Sequence, residues 1–457
     1  MPPDPKPRLE TLVRQIDGVL DPAVLDDEEE PRDVSRRDAE ALVEFARRLA
    51  LAPEQRGHYR QLALVQRCTR IAEHAGPLVD VLDDRAAVDR ILGWIHDNYW
   101  PDDINDPDPG RSVETDQFYR IALKAFGRLM TQENGDDPPS SMAHVTSGLP
   151  ENYDPMPSPA DVLDWRDDVY PMIDACLETR DKALIAVAFE AGLRSGELEE
   201  LCVGDVTDSK YSTKLFVDGK TGRRAIDLIV SIPYLNRWLD LHPEHPDGDQ
   251  RARVWIDADT HEAITYQAFL QIFKRAGERA GIDKPVNPTA FRKANTRWLI
   301  RQGAPTPLIE DRQGRVRGSK HVARYVARFS DEAESMYADL HGIEIDADEA
   351  PPEMGPIECP RCDRQTPREK PLCVWCSQAL SPTAAEQADQ HDATLDESFA
   401  DVATAAAEGE VSAERVEDLV EHLTAARELI GDDPELRAAV LAGDATAAAD
   451  DDGAGAR

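Results

Sequence analysis

A mainly helical protein with one small β-sheet is the fold class that this 457-residue sequence predicts. Apolar residues recur at three and four spacing through most of the chain, which is the period of one helix face. The period changes chiefly at residues 214–217 and 225–230, β-branched or apolar runs that flank Asp218-Gly219-Lys220-Thr221-Gly222. Those glycines and the aspartate suit a hairpin turn. With 41% apolar residues the chain can bury more than one core, and its length favours two or three domains.

The elements follow in order. Residues 1–34 read as an N-terminal helix (9–20) and an acidic linker. Residues 35–133 form an all-helical unit, with helices at 39–51, 59–75, 86–99 and 115–130. A Pro-, Ser- and Gly-rich stretch, 134–158, reads as a linker. Residues 159–345 form a second unit. It opens with helices up to residue 200, one of which ends at Gly192, suited to a left-handed cap. The hairpin follows, with a third short strand expected at 254–256. Helices return from 265 to 340, broken at 281–288, 303–307 and 314–318. Residues 346–380 hold a cysteine cluster. Residues 381–457 form an Ala/Asp-rich tail with 20 acidic and 4 basic residues, in which Val416, Leu419, Val420, Leu423 and Ile430 line one face of a helix.

Asp and Glu number 89 against 52 Lys and Arg, a formal charge of -37, and the excess is spread along the chain. Such diffuse acidity resembles that of proteins from salt-loving archaea, whose surface carboxylates keep them hydrated in concentrated salt. Residues 270–328 run against it, with 14 Lys and Arg over 4 Asp and Glu, a local +10. No stretch approaches the roughly 20 apolar residues of a spanning helix, and the start has no apolar signal core. A soluble cytoplasmic protein without membrane association is expected. Cys68, Cys176 and Cys202 are isolated and read as small buried hydrophobes.

Cys359-Pro-Arg-Cys362 and Cys373-Val-Trp-Cys376 are two C-x-x-C turns, and four thiolates on two turns match one tetrahedral Zn²⁺ with no open position. A structural zinc ribbon is expected, its Arg361, Arg364, Arg368 and Lys370 either touching DNA or protein or idle around a stabilising metal.

In Ala191-Gly-Leu-Arg-Ser-Gly-Glu-Leu198 one helix ends and another begins, leaving Arg194 in the turn, where a guanidinium can grip a phosphate with two hydrogen bonds. This segment resembles the first arginine motif of the tyrosine recombinase (phage integrase) family. Lys220, in Gly219-Lys-Thr-Gly-Arg-Arg224, sits where that family carries its hairpin lysine. Pro288-Thr-Ala-Phe-Arg292 resembles its H-x-x-R box, and Gly318-Ser-Lys-His-Val-Ala-Arg-Tyr325 the segment bearing its nucleophilic tyrosine. Residues 115–129, with Tyr119, Lys124, Phe126 and Arg128, resemble the DNA-clamping helix of archaeal integrases.

The resemblance covers roughly residues 35–345. It implies a tyrosine recombinase-like, DNA breaking-rejoining domain at 159–345, preceded by a core-binding domain at 35–133 and followed by the zinc ribbon and acidic tail. The implied activity is site-specific cleavage and rejoining of DNA through a 3′-phosphotyrosyl intermediate. Tyr325 is then the nucleophile, Arg194 and Arg292 neutralise the phosphate, and Lys220 protonates the leaving 5′ oxygen; no nucleotide cofactor or catalytic metal is required. Each donor placed on developing phosphate charge is worth about 3–4 kcal/mol. Where the family's box begins with His this chain has Thr289, and Arg315 stands at the usual His/Trp position. His321, four residues before Tyr325, offers an imidazole. The implied partners are double-stranded DNA and further copies of the chain, as a dimer or tetramer on DNA. Implied DNA contacts are Lys124 and Arg128 in the first unit, and Arg223, Lys293, Arg297, Arg317, Lys320, His321 and Arg324 in the second, where the basic segment is expected to form one patch. The alternative is a catalytically degenerate relative that recognises DNA as a regulator.

Overall fold

A computed structural model of the chain describes residues 4–51, 57–105, 110–131, 137–153, 158–219, 222–328, 337, 341, 353–407, 413–432 and 437; of Lys320, His321, Ala327 and Arg328 it describes only the helical backbone. Two compact units divide at Met156 and Pro157.

The first unit is all-helical: α1 (Pro5–Asp17), α2 (Arg36–Leu51), α3 (His58–His74), α4 (Arg85–Tyr99) and α5 (Val113–Thr131). Asp4 caps α1 by accepting the Lys6 amide, and Asp84 caps α4 by accepting the Ala86 amide. The apolar faces converge on a core around Phe45, Val65, Ile71, Leu123 and Phe126, with the Phe45 and Phe126 rings edge to face at 5.3 Å. Buried Asp38 is satisfied by Ser35 Oγ at 2.8 Å and the Val79 amide at 2.9 Å. Part of the stretch read as a linker packs here: Met142 and Val145 are buried, and Ser141 Oγ donates to Val81 O at 2.7 Å.

The second unit opens with a π-helical turn (Trp165–Val169) that runs into α6 (Tyr170–Asp174). Next come α7 (Thr179–Ala191) and α8 (Ser195–Glu199). An antiparallel sheet of β1 (Val206–Asp208), β2 (Thr213–Gly219) and β3 (Gly222–Leu228) follows in the order β1-β2-β3. Helices α9 (Ile232–Leu241), α10 (Tyr266–Arg279), α11 (Pro288–Arg301), α12 (Thr306–Arg312) and α13 (Lys320–Arg328) complete the unit. Helix α7 is the central pillar: every residue from Ala183 to Ala191 is buried. Its last acidic residue, Glu190, is satisfied where β3 leaves the sheet. Its carboxylate accepts the amides of Ile229, Val230 and Ser231 at 2.7, 3.0 and 2.8 Å and Ser231 Oγ at 2.6 Å, which pins the sheet to α7.

The third strand is Val206–Asp208, not 254–256. Residues 253 and 256 make only isolated bridges, with Cys202 and Ala263. Between them the Val254 amide donates to Leu201 O at 2.8 Å, Trp238 Nε1 donates to Val254 O at 2.7 Å, and Trp255 Nε1 donates to Leu198 O at 2.7 Å. Apolarity there reflects burial of Val254, Trp255 and Ile256 in the core.

Beyond the sheet-bearing part lie β4 (Ile357–Glu358) paired with β5 (Gln365–Thr366), then α14 (Pro382–Ala407) and α15 (Ala413–Asp432). The tail is thus helical where described, and α14 packs along α15. No helix among the described residues is long and apolar enough to cross a membrane.

Gly192 closes α7 at φ 58, and a Cβ there would lie 2.3 Å from Asn295 Oδ1. Both left-handed strain and this clash oppose any side chain, so Gly192→Ala is expected to cost about 1–3 kcal/mol of stability. An unchanged urea-unfolding midpoint would contradict this.

Candidate active site

The turn that ends α12 organises the site. A helix C-terminus leaves its last carbonyls without intrahelical partners, and here they point at arginines. Arg312 O accepts Nε of Arg224 at 3.0 Å, Gln313 O accepts a terminal nitrogen of Arg292 at 2.7 Å, and Gly314 O accepts one of Arg194 at 2.8 Å. Three consecutive carbonyls therefore hold three guanidinium groups delivered by β3, α11 and the α7–α8 turn. Gly314 adopts φ 57, and a Cβ there would meet the Arg224 guanidinium at 2.7 Å, so this turn requires glycine.

A second anchor fixes each group. Arg292 also donates to Gly192 O at 2.9 Å, so it bridges the end of α7 and the end of α12. Arg194 donates to Glu197 Oε1 at 2.7 Å, and its own amide is accepted by Glu197 Oε2 at 2.9 Å, a reciprocal cap on α8. Arg224 reaches the same carboxylate at 2.8 and 3.2 Å. Burial alone would raise the Glu197 carboxyl, yet hydrogen bonds from Arg224 and from the Arg194 amide hold it below its ordinary value. Arg312 itself turns away and donates to Glu190 O at 2.9 Å.

The resulting pocket is rich in positive charge. Burial, with Arg315 and Arg194 nearby, pushes Arg292 down to about 9. A guanidinium stays charged in proteins, so the physical content of that shift is a cation held at a cost until an anion joins it. Burial likewise lowers Arg315. Helix α13 packs on α11 and α12 and brings Tyr325, 5% exposed, to this cluster. Burial pushes its hydroxyl up to about 12, against the opposing pull of Arg315. Arrangements of this kind, a hydroxyl nucleophile beside fixed cationic donors, suit charge development on a phosphate.

Of the six residues singled out for chemistry, the structure gathers Arg194, Arg292, Arg315 and Tyr325. Thr289 lies exposed in the first turn of α11, a helix capped by Asn287. Lys220 lies outside the described residues, although the register Gly219↔Gly222 makes the hairpin loop two residues long, as its glycines suggest.

Residues 166–332 match the phage integrase family. The match runs from the π-helical turn to just past α13. The tyrosine recombinase XerD of Ralstonia nicotianae is 28% identical over 145 residues, 31% of this chain and 46% of that protein. XerD of Pseudomonas putida is 24% identical over 237 residues, 48% of this chain and 76% of that protein. The chain spans about half the length of the first of these relatives. Among solved structures, the XerH site-specific recombinase bound to palindromic difH substrate aligns at 16% identity with a TM-score of 0.45, covering 75% of this chain and 98% of that one.

Within residues 166–332, Lys284, Arg297 and Arg301 lie on a flank away from the arginine cluster. Arg223 is exposed on the sheet with its guanidinium 5.2 Å from the Phe216 ring; Arg324 and Arg317 are also exposed, the latter paired with Asp311 at 2.5 Å, and Lys293 is half-buried. Arg297, five residues after Arg292 and so rotated about 140° around the helix, lines a hollow with Trp165, Trp298 and Met354, apart from the arginine cluster. Lys284 and Arg301 face the same flank, pairing with Asp168 at 2.5 Å and Asp164 at 3.5 Å. Charge density along a helix says nothing about face. The side chains of Lys320 and His321 lie outside the described residues. In the first unit Lys124 and Arg128, one turn apart on α5, line a hollow with Arg60, Ile121 and Pro138.

The four cysteines fall outside residues 166–332 and do converge. Cys359 and Cys376 sulfurs are 3.7 Å apart, as are those of Cys362 and Cys373, and all four lie within 4.8 Å of one another. Zn–S bonds of about 2.3 Å in a tetrahedron place sulfurs roughly 3.8 Å apart, so the set fits one zinc ion. Amides of Arg361 and Trp375 point at the Cys359 and Cys373 sulfurs at 3.4 Å, and Thr366 Oγ1 at the latter at 3.3 Å. This segment is docked on the rest of its unit. Glu369 accepts Trp165 Nε1 at 2.7 Å, Lys370 pairs with Asp174 at 2.5 Å, Arg364 pairs with Asp240 at 3.3 Å, and Arg237 donates to Val374 O. Trp375 has Arg364 at 4.4 Å and Arg237 at 5.6 Å from its ring centroid. Arg368 pairs with Glu353 at 3.0 Å.

Sequence reading missed Glu197, Arg224 and Gln313. Glu197 had a signal, a carboxylate three residues after the helix-opening Arg194. Arg224 had none, because its partners lie 27 and 88 residues away, and the α11 partners of Gln313 lie 17 to 21 residues away.

Proposed function

We propose that this chain is a site-specific DNA recombinase that cleaves and rejoins strands through Tyr325. One observation carries the reading: three successive carbonyls, 312–314, fix Arg224, Arg292 and Arg194 around the pocket that Tyr325 enters. In the proposed step Tyr325 Oη loses its proton to water and attacks phosphorus, the bond to the 5′ oxygen breaks, and a 3′-phosphotyrosyl link forms. Arg194, Arg292 and Arg315 neutralise the nonbridging oxygens, and Lys220 gives its proton to the departing oxygen. Another strand's 5′ hydroxyl reverses the step, so the chemistry needs neither nucleotide nor catalytic metal.

The first unit serves as the core-binding clamp through Lys124 and Arg128, and the working assembly is a dimer or tetramer on duplex DNA in the cytoplasm. The four-cysteine segment is a structural zinc ribbon that braces its own unit. The acidic surface is a salt adaptation. At molar ionic strength the Debye length is about 3 Å, so phosphate is held by short hydrogen-bonded contacts, and counterion release adds little.

A second reading has one observation in its favour: Thr289 and Arg315 stand where the family carries imidazole or indole, and a threonine cannot take a proton near neutral pH. On that reading the chain binds DNA without cutting it. The two separate on nicked suicide duplexes drawn from DNA flanking its gene, incubated at high salt. Recombination requires a covalent adduct that Tyr325→Phe abolishes; specific binding without adduct supports the second reading.

A further inference from the structure

Gln313 is fully buried, and its side-chain amide is engaged at both ends. Its amide nitrogen donates to Asn295 Oδ1 at 2.8 Å, with Thr296 Oγ1 at 3.0 Å and Arg292 O at 3.2 Å. Its amide oxygen accepts Nε of Arg315 at 2.7 Å. Burial of an amide is costly unless both ends are satisfied, and here both are. Asn295 is fixed in turn, donating to Glu190 O at 2.8 Å. A chain of hydrogen bonds therefore runs from the end of α7, through α11, to the guanidinium of Arg315.

We propose that Gln313 is a positioning residue for Arg315, aiming its guanidinium beside Tyr325 as a third phosphate contact. The proposal rests on the strand-cleavage reading only for what the contact does; that the pair forms an oxyanion site stands on the geometry alone. Nε of Arg315 is held by a neutral amide oxygen, whereas Arg194 and Arg224 share the Glu197 carboxylate. A neutral acceptor orients Nε without neutralising the charge, so the terminal nitrogens remain cationic and directed by the planar fork. A carboxylate at this place would hold the group as firmly and take its charge away from an incoming phosphate. Backbone and side chain of one residue thus divide the work, Gln313 O holding Arg292 and Gln313 Oε1 holding Arg315.

The test uses the full chain and two probes. Orthovanadate, a phosphate-like oxyanion, is titrated against thermal unfolding, and adduct formation is followed on the nicked duplex in single turnover. Gln313→Met keeps length and removes the amide; Gln313→Glu retains an acceptor. Loss of one hydrogen bond to a charged group corresponds to about ten- to hundredfold. Gln313→Met is expected to weaken vanadate binding and slow adduct formation by that factor, as does Arg315→Met. The double variant is expected to be no worse than Arg315→Met alone, and Gln313→Glu to restore part of the adduct rate. Melting of each variant without vanadate separates lost folding from lost positioning. Wild-type behaviour of Gln313→Met, effects that add in full, or no vanadate binding by the wild type would overturn the pairing. Vanadate binding that follows the expected pattern with no adduct on any duplex would leave the pairing standing and remove the cleavage reading.

Discussion

Arg292→Ala is expected to slow formation of the Tyr325–DNA adduct by about 10²–10³-fold, the usual loss when one preorganised donor to developing charge is removed. The size follows from how Arg292 is held. Its two terminal nitrogens are fixed on Gly192 O and Gln313 O at 2.9 and 2.7 Å, so the fork is set before any phosphate arrives. It is also the most desolvated of the gathered cations, pushed down to about 9 by burial with Arg315 and Arg194 near. Charge in such a place acts through a lower dielectric than surface charge does. Arg292→Lys separates charge from geometry: one ammonium cannot span both carbonyls, so it is expected to recover only part of the rate. Single-turnover adduct formation at saturating protein, with melting of each variant, measures both. An alanine variant within threefold of wild type would show that the carbonyl-held cluster is not where phosphate charge develops.

Removing metal from the four-cysteine segment is expected to produce the largest structural effect. In isolated zinc peptides the ion contributes about 10–16 kcal/mol to folding. Here β4 and β5 pair over only two positions, so little but the thiolate cluster closes the fold. Loss of the ion should release Trp375 from Arg364 and Arg237, Glu369 from Trp165, and Lys370 from Asp174. Chelator titration followed by tryptophan emission, with Trp375→Phe as control, should show one transition at one zinc per chain and a lowered melting temperature. Protein that holds no zinc and melts unchanged in chelator would exclude a structural ribbon. DNA affinity is expected to change little, since Arg364, Arg368 and Lys370 are paired within the chain.

Local patterns made much of this fold readable. Helices α2 to α5 and α10 to α13 were visible as apolar periodicity ended by glycine, proline or capping residues, because each buries one face. Strand 254–256 was misread for the opposite reason: a run buried on all sides has no period, so apolarity there could not distinguish strand from packed loop. Arg194, Arg292 and Tyr325, which the structure brings together, each sit in a short motif with its own local signature. Gln313 and Arg224 do not. Their contacts with Glu197, Asn295 and Arg292 arise when α12 ends against β3 and α11, a meeting that no local window contains. Arg297 faces away from the arginine cluster, since counting charges along α11 ignores the 100° step per residue.

The most direct test of Tyr325 as nucleophile is to map the covalent link. Trapped protein–DNA complex from a nicked duplex is digested with protease and nuclease, and the peptide carrying the phosphonucleotide is sequenced by tandem mass spectrometry. The expected result is a nucleotide phosphate on Tyr325 joined through the DNA 3′ end. A link at another residue, or a 5′ attachment, would contradict the account.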